Sequence, residues 1–247
     1  MSIKLALVRK AEGEHTMSKT IELKAEDGKE FSAYLALPEG GRGPGMLVIQ
    51  EIFGVNKHIR EVCDLYAQLG FVAMAPDIFF RIKPGLDIGY TEAEMQEGFS
   101  YYQKLDFEQA VEDLASCVTS MKAMPEVVAK VGCVGYCMGG QLAFRLAAKN
   151  AVDASVSYYG GGLEPYIDQA SNLKTPLLMH FAEKDDYIPA STVEKVREAL
   201  ADKRDTAVYL YPGVDHGFNC DQRGAFDRAS AMIAIARSNW FLHKHLG

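Results

Sequence analysis

Several absences narrow the class of this chain before any motif is read. No apolar stretch reaches the roughly 20 residues that cross a bilayer as a helix, so a membrane-spanning helix is not expected. The start, "MSIKLALVRKAEGEHTMSKTIEL", offers a short apolar patch and then charges. It lacks the apolar core and small-residue cleavage site of a secretory signal, which makes a cytoplasmic location the expectation. Basic residues are outnumbered, 26 Lys and Arg against 33 Asp and Glu, for a formal net charge of -7. That balance argues against nucleic acid and membrane surfaces as partners. Five cysteines stand at 63, 117, 133, 137 and 220, an odd number with no CxxC pair. Neither a disulfide framework nor a zinc site is indicated, and no metal or organic cofactor is implied. Repeats and low-complexity tracts are lacking too.

What remains is an ordinary globular balance, 48% hydrophobic and 24% charged, over 247 residues. This suits a single domain over 17–247, with residues 1–16 as an N-terminal extension. Segments 20–25 and 30–37 alternate around Asp27-Gly28 as a hairpin. Buried strands follow at 45–50, 71–75, 130–136, 154–159, 175–181 and 207–211. Helical patterns fill 58–69 (closed by Gly70), 91–103, 107–123, 138–149, 191–201 and 225–245, and 77–90 is a long loop. Apolar strands alternating with helices predict an α/β fold, a mostly parallel central sheet with helices on both faces. Ligands in such sheets sit beyond the carboxyl ends of the strands.

One such end reads Gly135-Tyr136-Cys137-Met138-Gly139. Glycine two residues either side of a nucleophile, between strand and helix, is the pattern of a nucleophile elbow, which usually carries serine. Elbow hydrolases run nucleophile, acid, histidine along the chain. Asp185 and Asp186 follow the strand 175–181, and His216 follows 207–211, flanked by Gly213 and Gly217. Both loops leave carboxyl ends. The other histidines are worse placed: His180 within a strand, His58 opening a helix, His243 and His245 closing one, His15 in the leader. Asp215, adjacent to His216, is expected to shape the turn. Cys133 mid-strand, with Cys63 and Cys117 in helical patterns, reads as a set of buried, inert thiols.

"QEIFGVN" at 50–56, "GYCMGG" at 135–140, "DDYIP" at 185–189 and "HGFN" at 216–219 resemble the dienelactone hydrolases, or carboxymethylenebutenolidases. These form a cysteine-nucleophile branch of the α/β-hydrolase fold, and the resemblance covers roughly residues 20–246. It implies Cys137 as nucleophile, His216 as base, and Asp185 rather than Asp186 as the acid. It also implies that Glu51 contacts the resting thiol and helps activate it when substrate arrives. Arg81 would pair with a substrate carboxylate, and Phe53 and Tyr158 would line the pocket. The family's second carboxylate-binding arginine has no counterpart, since Cys220 stands at its spacing; Arg223, seven residues after His216, is the substitute.

The chemistry follows from the residue types. A thiolate at a helix N-terminus is favoured by the dipole, and an aspartate orients and charges the imidazole. Backbone N–H groups of Met138 and Ile52 would hold the oxyanion. The expected activity is opening of a carboxylate-bearing unsaturated lactone through a thioester acyl-enzyme. A broad small-ester carboxylesterase and a non-catalytic thiol redox sensor are the alternatives.

Overall fold

A computed structural model describes residues 5–6 and 17–247 of the chain. Residues 1–4 and 7–16, most of the expected N-terminal extension, lie outside the described residues. The chain forms two compact units, 1–132 and 133–247. Strand β6 (Val127–Tyr136) runs from the one into the other.

In the first unit, β1 (Leu5–Ala6) pairs antiparallel with β2 (Met17–Lys24), which forms a hairpin with β3 (Glu30–Leu37). The hairpin reaches beyond the expected 20–25, because Met17 to Lys19 pair with Leu37 to Leu35. Next come β4 (Gly43–Ile49), α1 (Lys57–Gln68), β5 (Val72–Pro76), α2 (Glu92–Tyr102) and α3 (Phe107–Lys122). The strand order is β1-β2-β3-β5-β4, with β3 antiparallel and β4 parallel to β5. Every residue of β5 is buried, as its unbroken apolar run requires. Helix starts carry their own caps. Asn56 accepts the Ile59 N–H at α1, Asp106 those of Glu108 and Gln109 at α3, and Thr91 with Glu94 makes a capping box at α2. Such caps satisfy N–H groups the helix itself cannot. The loop 77–90 is not structureless. It opens with a 3₁₀ turn, Ile78–Arg81, whose cap Asp77 accepts N–H bonds from Phe79 (2.9 Å) and Gly85 (2.7 Å).

The second unit holds α4 (Met138–Ala148), β7 (Ser155–Tyr158), β8 (Leu177–Ala182), α5 (Ala190–Leu200), β9 (Thr206–Tyr211) and α6 (Arg228–Leu246). Its strands run β6-β7-β8-β9, all parallel. In register, Tyr136 lies beside Tyr158 and Tyr158 beside His180. The turns after these strands therefore leave one edge together. β7 stops at Tyr158 rather than 159, because Tyr159 takes φ 37. A 3₁₀ run over Glu164–Asn172, unannounced by the sequence pattern, links β7 to β8. The last helix begins at Arg228, where Asp227 accepts the Ser230 N–H. The fold is a sheet of mostly parallel strands with intervening helices.

Candidate active site

Cys137 sits between β6 and α4 with φ 53 and ψ -118, a conformation rare for any residue with a side chain. The turn is that tight because a β-carbon on Gly135 would overlap the Gly139 carbonyl oxygen. Hydrogen bonds fasten it: the Cys137 N–H donates to Tyr158 O (3.1 Å), and the Cys137 carbonyl accepts from Gly140 (2.9 Å) and Gly161 (3.3 Å). Cys137 alone among the five cysteines is partly exposed. Burial pushes the Cys63 and Cys117 thiols well up and that of Cys133 up to about 12. None of those three yields a thiolate near neutral pH.

The acid and the histidine meet. His216 Nδ1 donates to Asp185 Oδ2 at 2.7 Å, with both side chains buried. Asp185 Oδ1 accepts the backbone N–H groups of Tyr187 (2.9 Å) and Ile188 (3.1 Å), so the carboxylate is fixed by its own loop. Asp186 is exposed, as is Asp215, whose carbonyl closes the turn by accepting the Phe218 N–H. The other ring nitrogen, Nε2, is buried and has no hydrogen-bond partner of ordinary geometry among the described residues. The thiol lies on that side: a single point above Gly161 is 3.8 Å from His216 Cε1 and 3.9 Å from Cys137 Sγ. Burial alone would lower the His216 pKa. The charge of Cys137 and the Asp185 hydrogen bond outweigh it and raise the pKa from 6.5 to about 10. The ring is then an imidazolium at neutral pH.

Two aromatics that sequence reasoning missed flank the imidazole. The Tyr159 and Tyr187 rings each lie 5.0 Å from it, and Tyr187 is 60% exposed. Tyr159 gets there through its positive φ, which no sequence pattern signals; Tyr187 was legible only as a neighbour of the acid. Tyr158, expected in the pocket, stands behind Tyr159, ring centroids 6.0 Å apart. Its ring stacks on Tyr136, and its hydroxyl bonds Ser238 Oγ at 2.7 Å. Ser238 also bonds His180 Nε2 (3.0 Å), whose Nδ1 faces the Tyr211 hydroxyl (3.0 Å). Burial, helped by the Arg237 charge, lowers the His180 pKa to about 3, so His180 is neutral.

The Arg223 guanidinium lies flat on Gly217, the residue after His216, within 3.0 Å of where a β-carbon would stand. Gly217 has φ 84, and any side chain there would displace the arginine. In the first unit, Arg81 is already engaged. Its Nε and Nη2 donate to Asp113 (2.7 and 2.8 Å) and Nη1 to Asp27 (2.6 Å). In the same unit Glu51 is fully buried, and its Oε2 accepts the Tyr90 hydroxyl at 3.0 Å. Ile52 and Phe53 are buried beside it, with Phe53 edge-on to Tyr90 at 4.6 Å. Asn56 ties this stretch to the 77–90 loop by donating to Ile88 O (3.1 Å) and the Tyr90 hydroxyl (3.2 Å).

A mostly parallel sheet whose strand-end turns present an elbow, then an acid, then a histidine defines an α/β-hydrolase. Residues 31–246 match the model of the dienelactone hydrolase family, and the chain belongs to that family. It is 38% identical over 230 residues to an Azospirillum brasilense protein provisionally named carboxymethylenebutenolidase, covering 92% of this chain and 99% of the relative. It is 32% identical to the carboxymethylenebutenolidase of Pseudomonas putida, covering 92% and 96%. Among solved structures, a provisionally named dienelactone hydrolase from Klebsiella pneumoniae subsp. pneumoniae superposes with TM-score 0.80 at 32% identity, covering 92% and 98%. The chain is a hydrolase of this family. Among the described residues no helix is long and apolar enough to cross a membrane.

Proposed function

We propose that the protein hydrolyses a carboxylate-bearing unsaturated lactone, or a related small ester, with Cys137 as nucleophile. One observation supports this: His216 hydrogen-bonds Asp185 at 2.7 Å, and its ring borders, with the Cys137 sulfur, one point above Gly161. The thiolate pair attacks the carbonyl carbon, and the C=O pair moves onto oxygen. The Met138 N–H, first of α4, is the donor assigned to that oxyanion. Collapse breaks the C–O bond, and the leaving oxygen takes the His216 Nε2 proton. Water then attacks the thioester and gives its proton to the neutral imidazole; the C–S bond breaks and the thiolate returns. Asp185 holds the ring in the tautomer both steps need.

The substrate class is carried over from the relatives' names. Arg223 supports it, being a guanidinium packed beside His216, and we assign the substrate carboxylate to it. Arg81 already binds two carboxylates. Ile52 as second oxyanion donor, Glu51 as activator and Phe53 as a lining residue enter on the family resemblance. Tyr158 enters on the same resemblance as a second lining residue. A cytoplasmic location fits the sequence reading. A redox sensor would need a thiol but no charged histidine and acid.

The test is a panel of lactones and open-chain esters, with and without a free carboxylate. It is paired with acid quenching and mass spectrometry of the Cys137 peptide. Acyl mass on Cys137 during turnover and faster use of carboxylate-bearing lactones are expected. Turnover with no acyl group on Cys137 refutes the mechanism. Equal use of neutral esters leaves the broad carboxylesterase reading.

A further inference from the structure

Three glycines in a row, Gly160–Gly162, follow Tyr159. Two have backbone reasons. A β-carbon on Gly160 would sit 3.0 Å from the Gln141 nitrogen and the Gly140 carbonyl carbon, where strand end and helix meet. Gly162 has φ 76, which favours glycine. Gly161 has neither reason. Its φ lies outside the left-handed region, and a β-carbon would make ordinary contacts, 3.8 Å from His216 Cε1 and 3.9 Å from Cys137 Sγ. Its N–H donates to the Cys137 carbonyl at 3.3 Å, so it moves with the nucleophile turn. The chain would accept alanine here. What glycine does is leave empty a space bordered by both reacting groups.

We propose that Gly161 is a specificity-determining residue, whose missing side chain makes room for the ring of a cyclic ester between thiol and imidazole. The inference rests on the hydrolytic reading above. During acylation the carbonyl carbon bonds to Sγ while the leaving oxygen takes its proton from Nε2. In an open-chain ester these two parts separate when the C–O bond breaks. In a lactone they stay joined by the rest of the ring, and those atoms must bridge from the sulfur to the imidazole. The bridge runs through the space above Gly161. A methyl group there keeps the resting chain intact yet occupies the path of the bridge. Acyl chains that point away from the imidazole are hindered less.

The experiment compares wild type with Gly161→Ala and Gly161→Val, after thermal melts show each variant folded. The first readout is kcat/KM for an unsaturated five-membered lactone against p-nitrophenyl acetate. One methyl group in a tight pocket discriminates by about 10–200-fold, so the lactone-to-acetate ratio should fall about tenfold or more in Gly161→Ala and further in Gly161→Val. The second is the rate of Cys137 labelling by N-ethylmaleimide, which leaves a five-membered ring on sulfur, against iodoacetamide, which does not. The maleimide-to-iodoacetamide ratio should fall in parallel. Wild-type lactone turnover with both ratios unmoved in both variants, or with uniform losses, overturns the inference and leaves the function standing. A wild type that opens no lactone removes the lactone from the proposed function, and the labelling ratio then decides on Gly161 alone.

Discussion

Removing the thiol should discharge the histidine. In Cys137→Ala the Asp185 hydrogen bond remains and burial still opposes the charge, but the thiolate is gone. The ring and the sulfur border a common point at 3.8 and 3.9 Å, which keeps them within about 8 Å of each other; unit charges about 4–7 Å apart are worth about 2–4 kcal/mol at an effective dielectric of 20. At about 1.4 kcal/mol per pH unit, the His216 pKa should fall by about two to three pH units from its wild-type value near 10. The assay is NMR titration of the His216 Cε1 proton in both proteins. Stability should move with it. The folded pKa of His216 is raised above 6.5, so protonation stabilises the fold fully below that pH and is lost as pH rises through about 10. In Cys137→Ala this loss should occur at lower pH, seen as an earlier alkaline decline in melting temperature. A variant still titrating near 10 would show that the thiolate does not charge the ring. A wild type titrating near 6.5 would remove the ion pair altogether.

Asp185→Asn should lower kcat by about 10²–10⁴-fold, by analogy with tautomer loss in aspartate-histidine pairs, whereas exposed Asp186→Asn should change steady-state ester hydrolysis little. Arg81→Ala should strip the partly buried Asp113 of its ion pair, leaving it the Gln109 hydrogen bond at 3.2 Å, and should cost about 1–3 kcal/mol in urea unfolding, without altering preference for carboxylate substrates. Arg223→Ala should weaken use of carboxylate-bearing lactones by about 1.5–3 kcal/mol, read as the ratio of kcat/KM to a neutral ester. The opposite pattern would return the carboxylate to Arg81. If Glu51 acts as the family resemblance implies, Glu51→Gln should lower lactone turnover and speed iodoacetamide labelling of Cys137 near neutral pH; unchanged values in both would reduce Glu51 to a loop residue.

What was legible in the sequence was what is local. The turn from β6 to α4 could be read because Gly135, Cys137 and Gly139 are constrained by one another within five residues. That the sheet is mostly parallel could be read from unbroken apolar runs such as β5 and β8. Distant pairings could not. Arg81 looks like a ligand-binding arginine until Asp27 and Asp113, 54 and 32 residues away, are seen to hold it. Glu51 could have been a surface carboxylate until Tyr90, 39 residues on, covers it. Tyr158 and Tyr159 are the same residue type side by side. One backbone angle decides that the second, not the first, meets His216. Choosing Asp185 over Asp186 needed a family resemblance, because loop carboxylates one residue apart differ only in which backbone N–H groups they can reach.

The backbone at Cys137 also sets a trade between durability and chemistry. A side chain held at φ 53 and ψ -118 carries strain of about 1–3 kcal/mol, a cost glycine would not bear. Glycine at this position would relax the turn, offset in part by its greater freedom in the unfolded chain, about 0.4–1 kcal/mol. The more stable form of this turn is thus one without the thiol. Selection for robustness alone would favour glycine at this position. Stabilising this protein by design should therefore begin away from β6–α4, since gains in melting temperature at the elbow come from the same relaxation that takes the sulfur away.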